Sequence, residues 1–147
     1  MKLSTRGRYG TRALLDLALR DGEGPVPLKD IAQRQQISLL YLEHLIAPLV
    51  AVGMIKSMRG AHGGVWLGKS PQEIKLSEVV GLLEGSLAPV DCVNDPKACP
   101  RSDSCVTRDI WVELKEAMDG VLESKTLQNL VDMQRRKGTA EMAMYDI

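Results

Sequence analysis

The stretch from Ser38 to Gly68, SLLYLEHLIAPLVAVGMIKSMRGAHGGVWLG, decides the fold of this chain. Ser38 is a good helix N-cap, because its side chain can accept a hydrogen bond from a backbone N–H of the first turn. Apolar residues then recur at helical spacing through LLYLEHLIAPLV. The alternation over residues 54–59 predicts a short strand, a glycine-rich turn follows, and residues 65–67 predict the returning strand. A helix followed by such a hairpin is the outline of a winged helix-turn-helix.

In that fold the helix would enter the major groove of DNA, and the tip of the wing would reach the backbone or the minor groove. The residues of this stretch that we expect to face DNA on this ground are His44, Arg59, Gly60, His62, Gly63 and Gly64. The alternative interpretation is a helix packed on a hairpin whose tip is simply solvated.

Two further helices, residues 4–20 and 28–35, are predicted before this stretch, and they supply the platform that a recognition helix needs. Arginines cluster near the start of the first helix, at Arg6, Arg8 and Arg12. Cations at this end of a helix oppose its dipole. We therefore expect these side chains to bind phosphate, the alternative being an ordinary solvated face.

Composition and charge fit one domain with a helical appendage. Of the 147 residues, positions 1–69 hold ten Lys or Arg against five Asp or Glu, and positions 70–147 hold nine against fourteen. A basic N-terminal half suits a surface that faces phosphates. No apolar run approaches the ~20 residues that span a bilayer, and the N-terminus lacks the apolar core of a signal peptide. We expect a cytoplasmic protein without membrane contact.

The predicted fold class is mainly α, within α+β: a winged helix-turn-helix with a two-stranded wing and a long C-terminal dimerisation helix. That helix begins at Cys105, and its apolar band is wider than one small domain needs; the alternative is a plain core helix. The predicted boundaries are residues 1–85 for the DNA-binding domain, 86–104 for a cluster-binding cysteine loop, 105–137 for the dimerisation helices and 138–147 for a flexible tail.

All three cysteines, Cys92, Cys99 and Cys105, fall within fourteen residues. An odd number of thiols in one Pro- and Asp-rich loop does not suit a disulfide framework. Clustered thiolates suit zinc or an iron–sulfur cluster, and a structural zinc site usually shows Cys-x2-Cys pairs, which are missing here. Three cysteines leave one ligand position open, for which nearby aspartates are candidates. The alternative is three incidental or redox-reactive thiols.

Signatures of common enzymes are missing. The sequence contains no P-loop, no nucleophile elbow and no dinucleotide-binding fingerprint. We therefore predict no enzymatic activity.

Four segments together resemble the Rrf-type winged-helix family of bacterial iron–sulfur cluster regulators: MKLSTRGRYGTRALLDLAL, ISLLYLEHL, RGAHGGVWLGK and the three-cysteine loop. The resemblance covers about residues 1–135. It implies a homodimeric transcription factor that binds a pseudo-palindromic operator in double-stranded DNA, holds an iron–sulfur cluster and changes its DNA preference with cluster occupancy. Cluster-assembly genes are the implied targets, and cluster-assembly proteins are candidate partners.

By position, the resemblance assigns Ser38, Tyr41 and Glu43 to the DNA-reading side of the recognition helix and Arg59 to the wing. It assigns the three cysteines as cluster ligands, with a two-iron cluster favoured, a four-iron cluster as the alternative and the fourth ligand unknown. Glu43 is informative, because phosphates repel a carboxylate unless it accepts a hydrogen bond from a cytosine amino group. We therefore expect Glu43 to discriminate between operators.

The chain departs from the pattern at two informative positions. Leu40 stands where the resemblance predicts a small polar residue, and Arg108 stands where it predicts a histidine as fourth ligand. Two other classes of function stay open: a cluster-free regulator of the same fold that responds to thiol oxidation or nitric oxide, and a small iron–sulfur carrier. The carrier would show no salt-dependent DNA affinity.

Overall fold

The computed structural model describes residues 1–145. Within them the helices and strands are, in chain order, α1 (Thr5–Leu19), α2 (Leu28–Gln35), α3 (Leu39–Ala51), β1 (Ile55–Met58), β2 (Gly64–Leu67), α4 (Leu76–Glu84), α5 (Asp91–Asn94), α6 (Val106–Glu123) and α7 (Leu127–Tyr145). Short 3₁₀ turns cover Pro71–Glu73 and Pro96–Ala98. This described part of the chain is mainly helical with one two-stranded antiparallel sheet, so the predicted fold class is confirmed.

The turn between α2 and α3 sets the orientation of the recognition helix. Gln36 adopts a left-handed conformation with φ of 55°, and Ile37 is buried. The side chain of Ser38 then accepts a hydrogen bond from the N–H of Tyr41 at 3.2 Å. The predicted N-cap is therefore present, and α3 starts directly after a tight turn.

The wing is a short hairpin in which Ile55 pairs with Leu67 and Met58 pairs with Gly64. Val26, from the segment before α2, adds one more rung: it exchanges two backbone hydrogen bonds of 2.9 Å with Val65. The strand β1 buries Ile55 and exposes its other residues. The wing therefore projects further into solvent than the alternating pattern predicted.

One hydrophobic core joins α1, α3 and the start of α7. Leu14, Leu42 and Leu49 are buried there together with Leu127 and Val131. The corner before α7 is fixed by two backbone hydrogen bonds between residues 74–76 and 125–127. The core of the DNA-binding domain therefore extends across the boundary predicted at residue 85 and includes the first turns of α7.

The C-terminal segment differs from the prediction. Residues 138–145, predicted as part of a flexible tail, continue α7 as helix to Tyr145. Gly138 alone costs a helix only about 1 kcal/mol, and the alanines, methionines and glutamate that follow it are strong helix formers. The last two residues of the predicted tail lie outside the described residues.

Among the helices of residues 1–145, none is long and apolar enough to cross a membrane.

Candidate DNA interface and cysteine segment

The recognition helix α3 presents a polar and apolar mixture to solvent. Its buried side, Leu42, Leu45, Ile46 and Leu49, packs into the molecule. Glu43 and His44 are exposed on the other side, as is Ser38 before the first turn. The predicted DNA-reading residues Ser38, Glu43 and His44 are thus accessible on one side of the molecule.

Tyr41 is half-buried and tied to α1. Its hydroxyl lies 2.9 Å from the hydroxyl of Thr5, and its ring meets the ring of Tyr9 edge to face with centroids 6.2 Å apart. Tyr41 therefore links the recognition helix to the N-terminal turn of α1.

The arginines of α1 divide into two groups. Arg6 and Arg8 are exposed, and the Arg8 guanidinium lies 5.5 Å from the centroid of Tyr9. Arg12 instead donates to the carbonyl oxygen of Gln35 at 2.7 Å, at the C-terminus of α2. Arg6 and Arg8 are thus available to a phosphate, whereas Arg12 holds α2 in place.

The wing tip contains two exposed side chains that can reach a ligand, Arg59 and His62. Gly60, also exposed, has φ of 115°, which favours glycine. The other predicted glycines lie closer to the protein: a Cβ on Gly63 would collide with the carbonyl oxygen of Met58, and a Cβ on Gly64 would collide with the backbone of Val26. Close packing explains why both positions are glycine, and their contact with DNA stays a prediction.

A buried carboxylate that the sequence reasoning missed fixes α1 against α2. Asp16 is 2% exposed. It accepts from Arg34 at 2.7 and 3.0 Å, from Gln35 at 3.0 Å and from Arg20 at 3.2 Å. Burial alone raises the pKa of this carboxyl, but the hydrogen bonds from Arg34 and Gln35 and the charges of Arg20 and Arg34 outweigh it, so the pKa lies below its ordinary value.

A second unpredicted contact joins α4 to α1. Oε1 of Glu84, the last residue of α4, accepts from the N–H of Ser4 at 2.8 Å, from the Ser4 hydroxyl at 2.5 Å and from the N–H of Gly7 at 3.0 Å. Glu84 immediately precedes the segment that contains the cysteines. No local pattern marks this residue, because its partners lie near the other end of the domain sequence.

The cysteine segment, residues 85–105, is partly ordered by its own contacts. Cys92 lies in α5, and its carbonyl oxygen accepts from Nε of Arg108 at 2.9 Å. Ser102 is buried, and its hydroxyl contacts the carbonyl oxygens of Pro96 at 2.7 Å and Cys99 at 2.9 Å. Arg108, the position where a histidine ligand was expected, thus anchors the segment to α6.

The three thiols are half-buried and form no disulfide. Sγ of Cys105 lies 3.2 Å from the hydroxyl of Thr107 at the start of α6. The hydrogen bond with Thr107, followed by one from the backbone of Arg108, lowers the pKa of this thiol. Within the described part of the chain, no three His, Cys, Asp or Glu side chains converge closely enough to hold a metal ion.

The helix α6 contains no buried residue. Ile110 is 54% exposed and Val121 62% exposed, on the apolar band that the sequence indicated. The alternative of a plain core helix is therefore wrong, and this band is free to contact another molecule.

A winged helix-turn-helix with an exposed recognition helix and an arginine at the wing tip defines a DNA-binding protein of the winged-helix class. The chain belongs to the Rrf2 family, described as iron-dependent transcriptional regulators, whose model matches residues 3–133. It is accordingly a transcriptional regulator and not an enzyme.

Similar proteins support this assignment. Protein rrf2 of Nitratidesulfovibrio vulgaris is 50% identical over 89% of this chain and 87% of the relative. The structure of CymR, described as the global cysteine regulator of B. subtilis, is 39% identical over 90% of this chain and 98% of that one, with a TM-score of 0.76. The structure of T. potens IscR matches this chain with a TM-score of 0.75 and 42% sequence identity, and the match covers 91% of this chain and 88% of the IscR chain.

Proposed function

We propose that the protein is a cytoplasmic, homodimeric regulator whose operator preference is switched by an iron–sulfur cluster on Cys92, Cys99 and Cys105. Genes for iron–sulfur cluster assembly are the proposed targets. The observation that carries the proposal is the position of the cysteine segment. The segment starts directly after Glu84, whose carboxylate caps the N-terminus of α1. The first turn of α1 in turn contacts Tyr41 of the recognition helix.

The donor chemistry of the segment fits such a cluster. Thiolates are its usual ligands, and the lowered pKa of Cys105 favours the thiolate. Because the thiols do not converge in this structure, binding would require the segment to rearrange. Arg108 is unsuited as fourth ligand, since its guanidinium stays charged and its Nε donates to Cys92.

Two contacts connect the segment to the DNA-facing side. Glu84 accepts from Ser4 and Gly7, and Thr5, which lies between those two residues, contacts Tyr41. A rearrangement of the segment that displaces Glu84 would therefore move the first turn of α1 against the recognition helix. Ordering of a segment can bias two states of a regulator by a few kcal/mol.

Each protomer would read one half of a pseudo-palindromic operator with α3 in the major groove. Glu43 would accept from a cytosine amino group. Arg59 would reach the backbone or the minor groove, and Arg6 and Arg8 would bind phosphates. All four side chains are exposed.

The homodimer would use the exposed band of α6. Ile110 and Val121 lie on it. A groove of about 620 Å³ lies beside α6 and is bounded on its other sides by residues 1–3 and by the segment that follows α4. Val121 and Leu122 of α6 line it, so the groove continues the same apolar surface. A second copy would cover both and set the spacing of the two recognition helices.

A cluster-free, thiol-based regulator is the second candidate, which could respond to oxidation or nitric oxide. The three half-buried thiols, which form no disulfide, favour it, and so does the lowered pKa of Cys105. Membership of a family of transcriptional regulators favours both candidates over a small iron–sulfur carrier.

The test begins with the full chain purified without oxygen. We expect visible absorption of an iron–sulfur cluster, iron and sulfide in matching amounts, and loss of all three in the Cys92/Cys99/Cys105 triple alanine variant. Ser104→Ala, an exposed change in the same segment, is the control and should retain the cluster. Spectroscopy of the loaded protein distinguishes a two-iron from a four-iron cluster.

DNA preference is measured next by selection from random duplexes, followed by binding titrations of the selected operator. The loaded and the cluster-free protein should prefer different sequences. Identical preferences with and without iron would refute the switch. Thiols that bind no iron but alter DNA binding on oxidation would establish the second candidate instead.

A further inference from the structure

The outward side of α3 lacks the side chains that most often read bases. Its sequence, LLYLEHLIAPLVA, contains no lysine or arginine. Bidentate contacts to guanine, the commonest specific contact in the major groove, require one of these two. The cations near this helix belong to α1, α2 and the wing, so α3 itself must read DNA by other means.

Leu40 lies on that outward side, in the first turn of α3. It is 67% exposed, and the positions three, four and seven residues further on, Glu43, His44 and Ala47, are exposed as well. Residues at these spacings share one side of a helix. Leu40 contributes little to the core, because Leu42, Leu45 and Leu49 fill the opposite side.

A single exposed leucine is common on proteins, but the position of this one restricts its partner. It lies in the first turn of α3, and the N-terminal residues of a recognition helix are those that contact base edges. Among the groups in the major groove, the C5-methyl group of thymine is the one that an aliphatic side chain contacts favourably.

We infer that Leu40 is a specificity-determining residue that contacts the methyl group of one thymine in each half-site, beside the base pair that Glu43 reads. This inference rests on the proposed docking of α3 in the major groove. It predicts a half-site in which a thymine neighbours the cytosine selected by Glu43. A polar residue at position 40 would change the base that is preferred there.

The experiment removes one methyl group at a time. In the selected operator, each thymine is replaced singly by deoxyuridine, which pairs identically and lacks the C5-methyl group. Titrations with the full-length protein should show one position per half-site at which the loss weakens binding about fourfold, the change expected for burial of one methyl group. Leu40→Ala should bind the thymine and deoxyuridine duplexes equally.

Val52→Ala is the matched control, since Val52 is also an exposed aliphatic residue but follows the last turn of α3. It should keep the sensitivity of the parent protein to the methyl group. Thermal unfolding of both variants should match that of the parent protein, because neither side chain belongs to the core.

Two results would overturn the inference. The first is operator-specific binding with equal affinity for every thymine and deoxyuridine duplex. The second is a Leu40→Ala variant that loses as much affinity as the parent protein when the methyl group is removed. Either result would leave the proposed function intact. Failure of the parent protein to select any operator would refute the proposed function and this inference with it.

Discussion

The backbone N–H of Gly7 donates to Oε1 of Glu84 at 3.0 Å, which joins the start of α1 to the end of α4. The first turn of α1 contains no acidic residue of its own, although the helix dipole favours an anion there. Glu84 provides this anion from a different helix. A Cβ on Gly7 would collide with the Glu84 side chain, so glycine serves the close approach of the two helices here.

Glu84→Ala should lower the free energy of unfolding by about 1–2 kcal/mol, because the N-terminal N–H groups of α1 lose their acceptor. Urea denaturation measures the change. Glu78→Ala, an exposed change on the same helix, is the control. Glu84→Ala should also reduce the difference in operator affinity between loaded and cluster-free protein. A variant that behaves like Glu78→Ala in both measurements would show that this contact transmits nothing.

Asp16→Asn should lower the free energy of unfolding at pH 7 by about 1–3 kcal/mol, because Arg20 and Arg34 lose a charged acceptor. The folded state depresses the pKa of Asp16. Such a carboxyl stabilises the fold above its unfolded-state pKa of about 4, and the stabilisation is lost as the pH falls through the folded-state pKa.

The difference between the parent protein and Asp16→Asn should therefore be complete at neutral pH and shrink below about pH 4. Urea denaturation at several pH values measures it. Asp21→Asn, an exposed change near the end of α1, should show little difference at any pH. A loss of stability in Asp16→Asn that is the same at every pH would contradict this account.

Local signals explain what the sequence predicted correctly. The Ser38 cap, the apolar spacing of α3 and the glycine-rich turn of the wing act over a few residues, so they can be read in order along the chain. The accessible positions of Glu43 and His44 follow directly from that spacing, and the accessible position of Arg59 follows from the turn of the wing.

Most of the contacts that were missed join residues far apart in sequence. Glu84 and Gly7 are 77 positions apart, and no periodicity links them. Asp16 offered a visible signal, a single carboxylate inside the apolar run ALLDLAL, because a buried charge needs partners. The sequence places the three cysteines in one segment, and their role as ligands stays a prediction. Whether their side chains converge depends on the backbone of residues 86–104, which composition does not determine.

Arg59→Ala should weaken operator binding by about 1–3 kcal/mol if the side chain reads a base or a narrow minor groove. If Arg59 binds only phosphate, affinity should fall evenly for all DNA sequences. The negative slope of log affinity against log salt concentration should then become shallower by about one. Titrations at several salt concentrations separate the two cases. Lys56→Ala, an exposed cation on β1, is the control, and an unaltered affinity in Arg59→Ala would remove this residue from the interface.

Glu43→Ala should relax sequence discrimination, because the variant loses the hydrogen bond to cytosine in the preferred operator. It also loses the repulsion between the carboxylate and the phosphates of operators that offer no cytosine there. The affinity for the selected operator should fall relative to operators that carry another base at that position. Competition titrations measure the ratio, with Glu23→Ala, an exposed change between α1 and α2, as control. An unchanged ratio would assign Glu43 to an ordinary surface charge.

Ile110→Glu should convert the dimer to a monomer, because a charge on the exposed band of α6 would be buried without a partner in the interface. The far-ultraviolet circular dichroism should be preserved, since α6 buries no residue in its own protomer. Sedimentation velocity measures the mass, and Met142→Glu, at a still more exposed apolar position on α7, is the control.

The monomer should also bind a full operator only as tightly as a single half-site. In a dimer, binding of the first recognition helix holds the second one close to its half-site, and a monomer loses this high effective concentration. Titrations of full and half operators measure this loss of bivalency. A variant that remains a dimer with intact operator affinity would exclude the band around Ile110 as the interface, and the spacing of the two recognition helices would then have to be set by another surface.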